Sequence, residues 1–203
     1  MDVNTTEEQQ VEIIKAWLKE NGKAVVLGAV LGLGGLYGWR YYQAEVQTAK
    51  EQASEAYTQT VQALSSGDDG AMSQAQTFIH DFESSHYAVL TALQLAKVQI
   101  EKNDLDAAAA QLKWAIGHTE DDALLSVAHT RLARILAAQK SYDEALAELD
   151  KVKAESWKGK VAELRGDILL QKGDQSAARE AYLRAKELGA SPALQIKLDD
   201  LAQ

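Results

Sequence analysis

The chain has no cysteine and a single proline, Pro192, in 203 residues. Without cysteine there is no disulfide, no thiolate metal ligand and no cysteine nucleophile. That absence does not identify a compartment. One proline, together with much alanine, leaves helices uninterrupted and points to an all-α fold. Basic residues are in deficit too: 21 Lys and Arg face 30 Asp and Glu, for a net charge of −9. Residues 1–43 hold four basic and five acidic residues, so 17 basic and 25 acidic residues put −8 on the remainder. Such a surface suits nucleic acid poorly, because phosphates require basic patches.

Catalytic patterns are missing as well. His80, His86, His118 and His129 stand at no metal-ligand spacing. His129 falls within a predicted first helix, where packing or a groove role fits better than ligation. Acidic doublets at 68–69, 121–122 and 199–200 fall at turns or on a polar helix face, as caps and solvated charge. Gly159-Lys160 is not a phosphate loop, since Ala154 stands where the first glycine belongs and Val161 follows the lysine. No nucleophile has a recognisable partner. The expectation is no enzyme, with no catalytic, cofactor-binding or metal residues.

What is present is organised around residues 23–42. Ala24 to Trp39 gives 16 residues without charge, closed by Lys23 and Arg40, with Trp39, Tyr41 and Tyr42 crowding the second end. As a helix this stretch covers about 24 Å of a hydrocarbon layer roughly 30 Å thick. Lysine and arginine snorkel, and aromatic rings sit well at headgroup level, so the segment can span a bilayer. A buried core helix is disfavoured by Gly28, Gly32, Gly34, Gly35 and Gly38, each costing about 1 kcal/mol against Ala in a soluble helix. A cleaved signal peptide needs small residues past the apolar run, and W-R-Y-Y-Q-A-E offers none well placed. Gly28 with Gly32, and Gly34 with Gly38, are candidates for close approach of another membrane helix. Lys15, Lys19 and Lys23 before the span, against Arg40 and Lys50 after it, favour an inner N-terminus and an outer domain. In a bacterium that places the domain in the periplasm.

Residues 1–22 read as a short acidic tail. Thr6 can cap a helix whose stripe is Val11, Ile14 and Leu18, with Trp17 beside it. The helix is expected to lie on the membrane surface before the chain turns in near Asn21-Gly22. A docking peptide for a cytoplasmic partner is the sharper alternative. From Glu45 to Leu64 the pattern stays helical, as a stalk, until S-S-G-D-D-G at 65–70. A helix over 71–83 follows, with Ala75, Phe78, Ile79 and Phe82 as its apolar face.

Three segments then repeat: residues 92–115, 129–152 and 162–185. Small residues align at Ala96, Ala133 and Gly166, and again at Ala108, Ala145 and Ala178. Leu112, Leu149 and Tyr182 align four residues further on, and Ala115, Val152 and Ala185 three beyond those. The offsets are 37 and 33 residues, close to the roughly 34 of tetratricopeptide repeats. Two antiparallel helices approach closely only where small residues cross. The turns K-N-D, K-S-Y-D-E and K-G-D offer Asp or Ser as caps. Single units cannot bury their apolar face and must stack. The pattern resembles tetratricopeptide repeats, with Arg165 and Gln99 at positions that are usually apolar. Ser191-Pro192 opens a last helix whose stripe is Leu194, Leu198 and Leu201, as a terminal cap.

The inner, first-helix face of this array is the candidate partner groove. It is expected to present Lys97, Arg131, Arg134, Lys160, Glu163 and Asp167, with Leu93 and Thr130 between them. A mixed, mostly basic groove suits an extended peptide or an acidic segment of a partner. The alternative is a solvated helix face.

The layout as a whole resembles a known family. V-E-x-I-K-x-W at 11–17 leads into E-N-G-K-A at 20–24, then L-G-x-x-L-G-x-G-x-L-x-G-W-R-Y at 27–41. An A-Y pair follows at 56–57, and the run from Ser156 to Asp167 reads S-W-K-G-K-V-A-E-L-R-G-D. These stretches resemble the YfgM-like ancillary subunits of the bacterial SecYEG translocon. The resemblance implies a single-pass inner-membrane protein with a cytoplasmic tail at 1–22, an anchor at 23–42 and a periplasmic repeat domain at 43–203. It implies association with SecYEG and with the membrane-anchored chaperone PpiD, and help in passing newly exported, unfolded proteins to periplasmic chaperones. It also implies a link to stress-response regulation. It supplies no catalytic residue. Rival readings are an envelope-assembly scaffold with no part in export, and a regulator facing the cytoplasm.

Overall fold

The computed structural model describes residues 7–189, 191 and 193–201. Among them are nine α-helices and no strand: α1 (Glu7–Ser66), α2 (Ala71–Asp81), α3 (His86–Glu101), α4 (Leu105–Gly117), α5 (Asp122–Ala138), α6 (Tyr142–Asp150), α7 (Lys158–Lys172), α8 (Gln175–Glu187) and α9 (Leu194–Asp200). The expected cap at Thr6 and the first-turn proline Pro192 lie outside the described residues. The chain divides into two units, Met1–Gln52 and Ala53–Gln203.

In the first unit α1 runs without interruption through Asn21 and Gly22, where a turn was expected. The Asn21 amide donates to the Trp17 carbonyl one turn back at 3.1 Å, a bond the helix accommodates. One glycine costs about 1 kcal/mol, too little to break a helix this long. Val25 to Leu36 present exposed large apolar side chains. Among the described residues, α1 is the one helix long and apolar enough to cross a membrane. Trp39 and Tyr42 bring their ring centres to 6.2 Å.

In the second unit the last turns of α1, from Ala53, contribute Ala53, Thr60 and Leu64 to the interior. Gly67 and Gly70 take positive φ, 70° and 80°, and the Asp68 amide reaches back to the Ala63 carbonyl. This left-handed closure stops the helix as the S-S-G-D-D-G run predicts.

The same closure recurs at the end of each first helix. Asn103, Lys140 and Gly173 have φ of 61°, 65° and 93°. The next amide, of Asp104, Ser141 and Asp174, bonds back to the carbonyl of Gln99, Leu136 and Leu169. The spacing of these turns reproduces the repeat offsets read from the sequence. Asp104 and Asp174 cap the second helices by accepting from Ala107 and Ala177. Ser141 makes no such side-chain bond, so that expected cap is not formed.

α3 pairs with α4, α5 with α6 and α7 with α8, and successive pairs meet through α4–α5 and α6–α7. Ala96, Ala133, Ala108, Ala145 and Ala178 are completely buried at the crossings. Leu112, Leu149 and Tyr182 fill the seams beside them. Ala115 and Ala185 are also fully buried, whereas Val152 falls beyond the end of α6 and is half-buried. α6 stops two residues short of it. Gln99 is buried, and its Oε1 has no hydrogen-bond partner among the described residues. Arg165 avoids the interior by pairing with Asp150. The fold is all-α, with a long apolar N-terminal helix and a tetratricopeptide-like solenoid of antiparallel pairs, as the periodicity predicts.

Candidate functional site

The first-helix face is built from α3, α5 and α7, with α5 touching both α3 and α7. Arg131 projects from α5 and donates from Nη1 to the Leu93 carbonyl of α3 at 3.1 Å. Burial, and then the charge of Arg134, push the Arg131 guanidinium below its ordinary pKa. Arg134 lies one turn along, is exposed, and has no hydrogen-bond or ion-pair partner among the described residues. Lys97 is exposed and reaches Glu101 at 3.6 Å, within its own helix. Lys160 lies 5.0 Å over the Trp157 ring. Leu93 and Thr130, expected on the surface between the cations, are buried instead. Thr130 turns its hydroxyl to the Ser126 carbonyl. Both residues sit where α3 and α5 close on their neighbours, so the face is narrower than a helix wheel suggests.

Glu163 and Asp167 come together, but around a residue that sequence reasoning left off the face. Lys197 of α9 donates to Glu163 at 3.0 Å and to Asp167 at 2.7 Å. The Tyr182 hydroxyl donates to Asp167 at 2.8 Å. Burial opposes charge on Lys197, yet the hydrogen bonds and charges of Asp167 and Glu163 more than offset it and raise its pKa. Burial and Asp167 likewise push the Tyr182 phenol up. Leu194 and Leu198 seat α9 against Ala178, Tyr182 and Ala185. The acidic end of the expected groove is therefore occupied by the C-terminal helix. No period in the sequence signals a contact thirty residues distant; only the opposite charges could have hinted at it.

A second ionic group lies between α5 and α6. His129 Nδ1 donates to Glu148 at 2.7 Å, and Lys151 donates to the other carboxylate oxygen at 2.6 Å. Burial acts to raise the Glu148 carboxyl, but bonds from Lys151 and His129 prevail and hold it below the ordinary carboxylate range. His129 thus serves packing and pairing within the helix pair. Among the described residues no three or more His, Asp or Glu are grouped to hold a metal.

A cleft that sequence reasoning missed runs beside α7 and α8, floored by Val152, Val161, Leu169 and Ala181. Val152, which lines it, lies just past the end of α6. In the first unit Gly28, Gly32, Gly34 and Gly38 all face open space, with nothing within 4 Å of an added Cβ. At 3.6 residues per turn, Gly28 with Gly32 and Gly34 with Gly38 form two faces about 120° apart.

Comparison with known proteins places this architecture. A profile of the tetratricopeptide repeat-like domain matches residues 15–203. The "Ancillary SecYEG translocon subunit" of Escherichia coli (strain K12) is 38% identical over 206 residues, covering 100% of both chains. The chain belongs to the ancillary SecYEG translocon subunit family. The like-named Haemophilus influenzae (strain ATCC 51907 / DSM 11121 / KW20 / Rd) family member is 34% identical over 94% of this chain and 93% of its own. A solved structure titled "Functional Characterization of Pseudomonas Aeruginosa pilF" superposes with a TM-score of 0.58. It covers 76% of this chain and 69% of its own at 19% identity, which speaks for the fold alone. The family is thus recognised along the whole chain, apolar segment included, and not through its repeats only.

Proposed function

We propose that this protein is a membrane-tethered interaction scaffold of the SecYEG translocon in the bacterial inner membrane. The observation that carries this reading is the end-to-end similarity, at 38% identity, to a protein named as an ancillary subunit of that translocon. One long apolar N-terminal helix and a helical-pair array fit a tether and a binding surface. In this reading residues 23–42 span the bilayer, 1–22 face the cytoplasm and 43–203 face the periplasm. Gly28, Gly32, Gly34 and Gly38 are open for packing against a neighbouring membrane helix. The array holds a membrane-anchored periplasmic chaperone of the PpiD kind near the translocon exit, and newly exported chains pass to it. The first-helix face carrying Lys97, Arg131, Arg134 and Lys160 is the contact surface. The function is one of binding, without catalysis.

Co-purification in mild detergent tests this. The full chain is expected to bring translocon components and a periplasmic chaperone. A chain lacking residues 1–44, exported by a cleavable signal, is expected to keep the chaperone and lose the translocon. Retention of neither by the full chain would favour an envelope scaffold outside export. Protease added from the periplasmic side is expected to digest residues beyond 45; full protection would reverse the topology.

A further inference from the structure

α1 runs unbroken through Asn21 and Gly22, so one register holds along it. Stepping alternately three and four residues from Val11 to Ala49, the helix meets twelve positions and no charged residue. Eleven charged residues lie elsewhere between Glu7 and Gln52. Such a seven-residue repeat is the seam of a left-handed helix pair, in membranes as in water. The whole seam belongs to the first unit. At its start Val11, Ile14 and Leu18 are exposed. Because the helix does not turn at Asn21-Gly22, this stripe continues in line with the apolar segment and cannot lie flat on a bilayer. It stands in water unless another helix covers it. Further on the seam holds Gly28, Gly32 and Gly35, with open space around each. It ends with Trp39, Tyr42, Val46 and Ala49. Glu45 and Lys50 flank it there, exposed and without a hydrogen-bond or ion-pair partner among the described residues. They cannot pair inside one helix. Their spacing is five, and neither has an opposite charge three or four residues away.

We propose that α1 forms a parallel, in-register pair with α1 of a second copy of this chain, along residues 11–49. The inference goes beyond the translocon reading, but it rests on residues 23–42 spanning the bilayer, which gives both copies one direction. Self-complementarity carries it, as a two-fold pair of identical helices requires. In a parallel heptad pair, a residue flanking the seam on one helix faces the residue five positions further on in the other. Glu45 and Lys50 hold two such positions, so each copy's Glu45 meets the other's Lys50. A seam side chain enters a hole made by four residues of the facing helix. For Trp39 that hole is made by positions 35, 38, 39 and 42, and Gly35 and Gly38 leave it open for the indole. Asn21 is a polar seam position, of the kind that fixes register. An unrelated helix would have to supply the same acidic, basic and glycine positions at the same heights. A second copy supplies them by symmetry.

The chain has no cysteine, so a single introduced cysteine reports on its own position alone. Full-length Tyr42→Cys, Val46→Cys and Ala49→Cys proteins in isolated membranes are oxidised briefly with copper phenanthroline and separated on non-reducing gels. The expected result is a disulfide-linked product of twice the chain mass from these three. Little is expected from Ala44→Cys, Gln47→Cys and Thr48→Cys, which lie on other faces. Adding Lys50→Glu to the Tyr42→Cys chain is expected to lower the yield roughly fivefold, and Glu45→Lys together with Lys50→Glu to restore it. Gly35→Leu, which fills the hole, is expected to lower the yield while the protein stays in the membrane. Equal yields on all faces, no product, or no restoration by the charge exchange overturns the proposal. A seam product of another mass alone overturns it in favour of a different protein's helix. Recovery of the protein outside the membrane fraction overturns the span reading itself. Seam cross-links without translocon co-purification remove the translocon reading alone. Co-purification without seam cross-links removes this inference alone.

Discussion

Tyr182 lies directly against the backbone of Gly166, so that a Cβ at Gly166 would stand 2.4 Å from two ring carbons of the tyrosine. The ring is 1% exposed and fills the seam between α7 and α8. Its hydroxyl continues to Asp167, which also holds Lys197 of α9. One missing methyl group thus sets the approach of a helix pair and the seating of the terminal helix.

Gly166→Ala is therefore expected to destabilise, although alanine favours helices. Overpacking costs about 1–3 kcal/mol and exceeds the roughly 1 kcal/mol gained in helix propensity. Denaturant unfolding followed by circular dichroism measures it. A more stable Gly166→Ala protein would show that the tyrosine can move aside freely.

Ala145 and Ala178 make the corresponding crossings and are completely buried. Ala145→Leu or Ala178→Leu is expected to destabilise by about 1–3 kcal/mol. Unchanged unfolding midpoints for both would contradict the crossing geometry.

Lys140 holds a positive φ of 65° at the turn where the third repeat segment has Gly173. A left-handed conformation costs a residue with a Cβ about 1–2 kcal/mol. Lys140→Gly should recover part of it and raise stability by about 0.5–1 kcal/mol, whereas Gly173→Lys should lower it. Equal stability of Lys140→Gly and the parent protein would show that the turn is unstrained.

Glu148 gives a pH dependence of known sign. Its folded pKa is depressed by Lys151 and His129 despite burial. A depressed carboxylate stabilises above its unfolded pKa, near 4.3, and that stabilisation is lost as pH falls through the lower folded value. Glu148→Gln should cost about 1–3 kcal/mol at neutral pH, and the gap should close as pH drops below about 4. A gap that stays constant into acid would mean that Glu148 is not ionically engaged.

The repeat register was legible because its signals are local. Ala108, Ala145 and Ala178 mark crossings by size alone, and Asn103, Lys140 and Gly173 mark helix ends within a few residues of chain. The candidate face was only partly legible. Arg131 and Arg134 were expected there and lie together, but Leu93 and Thr130 are interior. Their burial depends on neighbouring helices, which the pattern of one helix does not specify.

The sequence by itself determined the helical class, the uncharged stretch from Ala24 to Trp39 and the turns within the repeats, though not at Asn21-Gly22, where α1 continues. Each depends on residues a few positions apart, through periodicity, charge and backbone preference. The tertiary structure alone decided that Lys197 closes the acidic end of the face, that Ser141 caps nothing and that α6 ends before Val152. Those outcomes depend on which surfaces meet when helices stack. The Lys197 contacts join residues thirty and thirty-four positions apart, and no local pattern contains their free energy.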